Sequence, residues 1–63
     1  MSELTDRERE VLALLGTGMS NAELSRELGV GAPTVKSHVS RVLSKLHLTS
    51  RVQAAILARE LEL

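Results

Sequence analysis

The fold is decided by residues 31–48, which read GAPTVKSHVSRVLSKLHL. Apolar side chains recur here at i, i+4, i+7, i+8 and i+11, the spacing of one face of an α-helix. These side chains are Val35, Val39, Val42, Leu43 and Leu46. The opposite face has no acid and consists of Ser37, Ser40, Arg41 and Ser44, with Lys36, His38 and Lys45 on its flanks. A merely solvated helix usually mixes acids with bases, so this face suits a polyanion, although an ordinary bundle helix that happens to be basic remains an alternative.

Length and composition limit the class of protein. The chain has 63 residues, 43% of them hydrophobic and none aromatic, which predicts one all-α domain over residues 1–63 with a small Leu/Val core. No alternating strand pattern or Asn-Gly hairpin turn is present in the sequence. The absence of cysteine excludes disulfides and cysteine-ligated zinc. The longest apolar runs have five residues, too few for a signal peptide or a membrane span, so we expect a cytoplasmic protein without a membrane partner.

The charges are balanced in number but uneven along the chain. The formal net charge is zero, yet no acid occurs between Glu27 and Glu60. Five cations lie in that interval, namely Lys36, Arg41, Lys45, Arg51 and, next to Glu60, Arg59. Most acids precede the interval, so we expect an acidic pole and a basic pole.

Local signals predict four helices, over residues 6–15, 21–28, 33–46 and 51–61. Capping boxes open the first, second and fourth helices, and their residue pairs are Thr5 with Glu8, Ser20 with Glu23, and Ser50 with Gln53. Gly16-Thr17-Gly18 ends the first helix. Gly31 could cap the third helix, but we favour Pro33 as the first residue and Ala32 as a poor cap, because the residue before proline avoids the α region.

The connection between the second and third helices has the features of a helix-turn-helix. Gly29 fits the left-handed position after a helix end, and Val30 would fill the angle between the helices. Ser25 is small enough for the third helix to approach. At the other end of the third helix, His47 stands where a left-handed residue is expected, and a cation is also favourable there.

The fourth helix is apolar on two sides. Val52, Ala55 and Ile56 form one side, and the other consists of Ala54, Leu57, Ala58 and Leu61. A terminal helix in a small bundle needs only one buried face. The second apolar side therefore predicts a symmetric dimer, with Val52, Ala55 and Ile56 as the contact. The alternative is that small alanines simply leave the helix without a polar face.

The order of these motifs resembles the LuxR-type, or FixJ/NarL-type, helix-turn-helix domain. The matching segments run without gaps from residue 3 to about residue 58, and they are Leu4-Thr5, Arg7 to Leu12, Gly18, Ser20-Asn21, Glu23-Leu24, Leu28, Thr34 to Val39, Lys45-Leu46 and Ser50 to Ala54. The resemblance implies a bacterial DNA-binding domain of two-component response regulators or quorum-sensing regulators. It implies a third helix that enters the major groove and a fourth that forms the dimer contact. Three positions depart from the usual family pattern. Gly31 replaces a Ser or Thr cap, Ser25 replaces an Ala, and His47 replaces a Gly.

The resemblance also assigns roles to particular residues. It places Lys36, Ser37 and Ser40 at base-reading positions. It places six residues near the phosphates, namely Ser20, Asn21, Thr34, Arg41, Ser44 and Lys45. His38 would lie beside the DNA backbone or act as a packing histidine. The implied partners are double-stranded DNA with an inverted repeat, a second copy of the chain and RNA polymerase, and no cofactor is expected.

Two alternative functions compete with this interpretation. Region 4 of a bacterial sigma factor shares the Arg-Glu-Arg-Glu first helix but normally ends with its recognition helix, whereas here a capped fourth helix follows. A helical protein-interaction module fits the zero net charge, although the acid-free interval weighs against it. An enzyme is not expected, since His38 and His47 are nine residues apart and cannot share one helical face as metal ligands. The chain is either an excised domain or a stand-alone regulator.

Overall fold

The computed structural model describes residues 3–63 and contains four helices. They are α1 (Asp6–Leu15), α2 (Asn21–Leu28), α3 (Ala32–Lys45) and α4 (Arg51–Glu60), with no strand in the described part of the chain. Helix α1 packs against both α3 and α4, and α2 packs on α3. The predicted all-α, four-helix architecture is confirmed. None of these helices is long and apolar enough to cross a membrane.

Two of the three predicted capping boxes are complete. The Thr5 hydroxyl accepts from the Glu8 N–H at 3.1 Å, and the Glu8 carboxylate accepts from the Thr5 N–H at 2.9 Å. The Ser20 and Glu23 pair repeats this arrangement at 3.2 and 2.9 Å. These reciprocal bonds satisfy N–H groups that have no partner inside the helix, which is why α1 and α2 begin at the predicted residues.

The third capping box is only half formed. The Ser50 hydroxyl accepts from the Gln53 N–H at 3.3 Å, as predicted. However, the Gln53 Oε1 accepts from the Thr49 N–H at 2.8 Å and the Thr49 hydroxyl at 3.1 Å, instead of from the Ser50 N–H. Thr49 offers two donors to the same oxygen, and Ser50 could offer one. Helix α4 nevertheless begins at the predicted residue and ends at Glu60, one residue earlier than predicted.

Helix α3 is displaced by one residue from its predicted bounds of 33–46. It begins at Ala32, with Gly31 as the N-cap and no side-chain cap hydrogen bond. Pro33 is therefore the second helical residue. Proline is tolerated there because an N–H in the first turn has no intrahelical acceptor, and this outweighs the restriction on Ala32. At the other end Leu46 is the C-cap, and His47 has the predicted left-handed backbone with φ 58°.

Every helix contributes apolar side chains to the core, although Leu61 of the predicted inner side of α4 is exposed. Its buried members are Leu4, Val11, Leu12, Leu15, Leu24, Leu28, Val35, Val39, Val42, Ala54 and Ala58. Leu43 and Leu46 complete the α3 stripe as half-buried residues packed against this cluster. Small residues let α4 approach α1 closely, since a Cβ built on Gly16 would lie 2.9 Å from the Cβ of Ala58.

The turn between α2 and α3 has the predicted backbone. Gly29 is left-handed, with φ 69°, and its N–H donates to the Ser25 carbonyl at 2.9 Å. The Ser25 hydroxyl donates to the Val30 carbonyl, so the hydroxyl ties the turn together in addition to leaving room for α3. Val30 is half-buried and packs against the core. This turn fixes the direction in which α3 leaves the bundle.

Candidate nucleic-acid interface

The outward face of α3 is exposed and free of acids. Lys36, Ser37, Ser40, Arg41 and Ser44 are all exposed, as the helical period predicts. The first four of these residues, together with Pro33, line a shallow open groove. Among the described residues, Lys36 and Arg41 make no side-chain hydrogen bond or ion pair. Two unneutralised cations therefore stand on a surface of small hydroxyls, where a polyanion can approach closely.

Lys45 is bound to the rest of the domain instead. Its Nζ donates to the Glu8 Oε1 at 2.7 Å and to the Glu3 carbonyl at 3.1 Å. The Glu8 side chain is almost fully covered, with the residue only 4% exposed. The hydrogen bond from Lys45, followed by that from the Thr5 N–H, holds the pKa of Glu8 below its ordinary value despite the burial. The pair joins the end of α3 to the start of α1, and the predicted contact of Lys45 with a phosphate would require this pair to open.

The N-terminus of α2 lies beside the N-terminus of α4. Ser20 is exposed and caps α2 through its hydroxyl oxygen, which leaves the hydroxyl hydrogen available as a donor. Asn21 is half-buried, and its Oδ1 accepts from Arg51 Nη1 at 2.7 Å. Thr34 is exposed in the first turn of α3. Hydrogen bonds from Ser20 hold the pKa of Glu23 below its ordinary value, so the acid of this cap stays ionised.

His38 differs from the exposed residues of α3. It is half-buried, and its Nδ1 is a buried atom with no hydrogen-bond partner in residues 3–63. One ring nitrogen is thus turned inward, as a packing histidine would place it. The structure does not bring His38 into the groove formed by Lys36 and Arg41.

One side of α4 is covered and another is open. Ala54 and Ala58 are buried against the bundle, whereas Val52 is 64% exposed and Ile56 is 54% exposed. Ala55, the third residue of the predicted dimer contact, is half-buried. A second shallow depression beside Ile56 is lined by His47, Leu48, Gln53, Ile56, Leu57 and Glu60. The predicted dimer residues therefore lie on the more open side of α4.

The part of the chain that the structure describes has no cluster of three or more His, Cys, Asp or Glu side chains able to hold a metal ion.

Sequence reasoning missed two long-range contacts, from Lys45 to Glu8 and from Arg51 to Asn21. The first had no separate signal, because the capping box already accounted for Glu8. The second had one, since Arg51 places a cation in the first turn of a helix, where the dipole disfavours it.

Comparison with known proteins decides the family. Residues 2–58 match the family model described as bacterial regulatory proteins, luxR family. The chain belongs to the LuxR family. It is 52% identical over 54 residues to the transcriptional regulatory protein LnrK of Bacillus subtilis, a match that covers 86% of this chain and 24% of LnrK. It is 44% identical over 62 residues to the DNA-binding transcriptional activator DevR/DosR of Mycobacterium tuberculosis, covering 98% of this chain and 29% of the relative.

A third LuxR-family relative is the nitrate/nitrite response regulator protein NarL of Escherichia coli. The identity is 43% over 56 residues, covering 89% of this chain and 26% of NarL. This LuxR-family chain thus spans about a quarter of the length of the curated relatives it matches. LnrK and NarL are named as regulators, and DevR/DosR is named as a DNA-binding transcriptional activator. The family predicted from the sequence motifs is confirmed.

Proposed function

We propose that this domain binds double-stranded DNA and regulates transcription, with α3 in the major groove. The observation that carries the proposal is the outward face of α3, where Lys36 and Arg41 have no ion-pair partner within residues 3–63 and lie among exposed serines. A helix of this width fits the major groove, and small residues allow it to lie close to base edges. Lys36 would donate to a guanine edge, while Ser37 and Ser40 would approach neighbouring bases.

The phosphate contacts would come from two sides of the groove. Arg41, Ser44 and Thr34 lie on α3, and Ser20 and Asn21 lie at the start of α2. Contacts of this kind position the protein but do not read sequence. The positive end of the α2 dipole adds to the attraction for phosphate.

We further propose that two copies pair through α4 and bind an inverted repeat. Val52 and Ile56 support this proposal because they are large, apolar and more than half exposed. A two-fold contact between such surfaces is self-complementary, and it would place the two α3 helices about one DNA turn apart, or roughly 34 Å. By analogy with its relatives, the domain would act in the cytoplasm as the output of a two-component regulator, with RNA polymerase as a further partner.

The first test is an NMR titration of the labelled domain with a short mixed-sequence duplex at low salt. A monomer should bind such DNA non-specifically with a dissociation constant of about 10⁻⁴ to 10⁻⁶ M at physiological salt, and more tightly at low salt. We expect shifts on Ser20, Asn21 and residues 34–44 that vanish as salt is added. Shifts confined to α4, or none, would contradict DNA binding and favour a protein-interaction module.

The roles of individual cations are tested by substitution. Arg41→Ala should weaken binding about equally on all sequences, whereas Lys36→Ala should relax the preference at one base pair. Binding is measured on a panel of duplexes that vary one position at a time. Equal losses for both variants on every duplex would show that Lys36 does not read a base.

A further inference from the structure

The Arg51 side chain extends from α4 to the start of α2. Arg51 is the first residue of α4, whose first turn contains no acid, so its charge is unfavourable to the α4 dipole. Its half-buried side chain crosses to the start of α2. There Nη1 donates to the Asn21 Oδ1 at 2.7 Å, and Nη2 donates to the Met19 carbonyl at 2.9 Å. A residue that breaks a local rule is a candidate for a role elsewhere in the molecule.

The chemistry of a guanidinium fixes the orientation of the asparagine amide. Arginine has donors and no acceptor, so only the oxygen of Asn21 can face it. The NH₂ group of Asn21 then points away from Arg51. It has no acceptor among residues 3–63 and is not fully buried, so both of its donors are free for an acceptor outside the domain.

Arg51 also keeps its positive charge. Both of its partners are neutral, and no carboxylate of the described residues lies within ion-pair distance of it. The charge is held beside the N-terminus of α2, which already carries a partial positive charge from its dipole. Two free N–H donors and an unneutralised cation therefore stand together at one end of α2.

We propose that Arg51 is a positioning residue for DNA binding: it holds the Asn21 amide with its N–H donors turned outward to a DNA phosphate, and its charge strengthens that contact. This inference rests on the proposed function. It assigns to α4 a part in binding that is separate from pairing two copies. A purely structural link between α2 and α4 would also use these hydrogen bonds. In that case the loss of Arg51 would lower the stability of the domain, but it would not change the strength of the Asn21 contact with DNA.

The test is a double-mutant cycle of Arg51→Gln and Asn21→Ala, read by fluorescence anisotropy with a labelled duplex at about 0.1 M salt. Each single variant should bind about tenfold more weakly, the effect of losing one hydrogen bond to a charged group. The double variant should also lose about tenfold, since both changes remove the same contact. Independent effects would instead multiply to about a hundredfold.

The matched control is Arg59→Gln, which removes the same charge from the exposed last turn of α4. Residue 59 is about 12 Å along the helix from residue 51, beyond the screening length of about 10 Å. We expect its affinity to stay near that of the wild type. Circular dichroism melting of every variant shows the folded fraction at the assay temperature.

Arg51→Lys keeps the inference testable if Arg51→Gln does not fold. Lysine retains the charge and a donor but cannot form the planar fork to two oxygens. It should weaken binding when Asn21 is present and change nothing further in the Asn21→Ala background. Equal losses in both backgrounds, or a loss for Arg51→Gln no larger than for Arg59→Gln, would overturn the positioning role while leaving DNA binding intact. If Arg41→Ala weakens binding no more than Arg59→Gln does, the proposed function itself fails.

Discussion

Arg41 and Lys45 are two cations four residues apart on α3, and the structure predicts opposite consequences of removing them. Arg41 is exposed and unpaired within the described residues, whereas Lys45 is bonded to Glu8 at 2.7 Å. Replacement by methionine removes either charge and keeps most of the aliphatic stem. The affinity falls as salt rises, and each lost phosphate contact should make the slope of log affinity against log salt less steep by about 0.9. Between about 50 and about 200 mM salt, the variant should therefore lose about 3.5-fold less affinity than the wild type does. We expect that change for Arg41→Met and none for Lys45→Met.

Stability should respond in the reverse order. Lys45→Met leaves the covered Glu8 carboxylate without its cation, which is costly for a group removed from water. Its melting temperature should therefore fall, while that of Arg41→Met should not. Anisotropy at five salt concentrations and circular dichroism melting measure the two quantities, and Glu8→Gln added to Lys45→Met should recover stability without altering the slope. The reasoning is refuted if Lys45→Met flattens the salt slope as much as Arg41→Met and melts like the wild type, because the pair would then open to meet DNA.

Three further predictions concern the fold and the pairing of copies. Because the pKa of Glu8 is lowered in the folded state, its contribution to stability is present above its ordinary value of 4.5 and is lost as the pH falls through the folded pKa. Glu8→Gln should flatten this acid dependence of the melting temperature. Gly16→Ala should lower the free energy of unfolding in urea by up to about 2 kcal/mol, because the new Cβ would lie 2.9 Å from that of Ala58, and such overpacking costs about 1–3 kcal/mol against roughly 1 kcal/mol gained in helix propensity. Ile56→Asp should shift the sedimentation profile to monomer and keep the helical circular dichroism spectrum, since the residue is 54% exposed; an unchanged dimer would place the contact elsewhere.

The helix starts could be predicted because their causes are local. The Thr5 and Ser20 capping boxes act within three residues, and Gly29 can adopt a left-handed backbone because it has no Cβ. The start of α3 was displaced because two local rules conflict at Pro33. The restriction on the preceding residue favours a later start, but the missing N–H costs nothing anywhere in the first turn. The sequence shows both rules and not which one prevails.

The long-range polar contacts could not be predicted for a different reason. Lys45 and Arg51 have long, flexible side chains at the edges of their helices, where they can turn either to solvent or to a neighbouring helix. Their partners are 37 and 30 residues away in the chain. A helical wheel places the Cα correctly and says nothing about which way such a side chain turns. Of the five cations in the acid-free interval, Lys45 and Arg51 make hydrogen bonds inside the domain.

This division of the cations bears on how the domain would achieve useful affinity. With Lys36 and Arg41 as the unpaired cations of α3 in residues 3–63, one copy offers few charges to phosphate, and its net charge of zero adds no general attraction. Strong binding by a single copy is therefore not expected. Two copies joined through α4 would double the phosphate contacts, and the second would bind at a high effective concentration. Because the same pairing fixes the distance between the two α3 helices, it would select for the spacing of the half-sites as well as for their sequence.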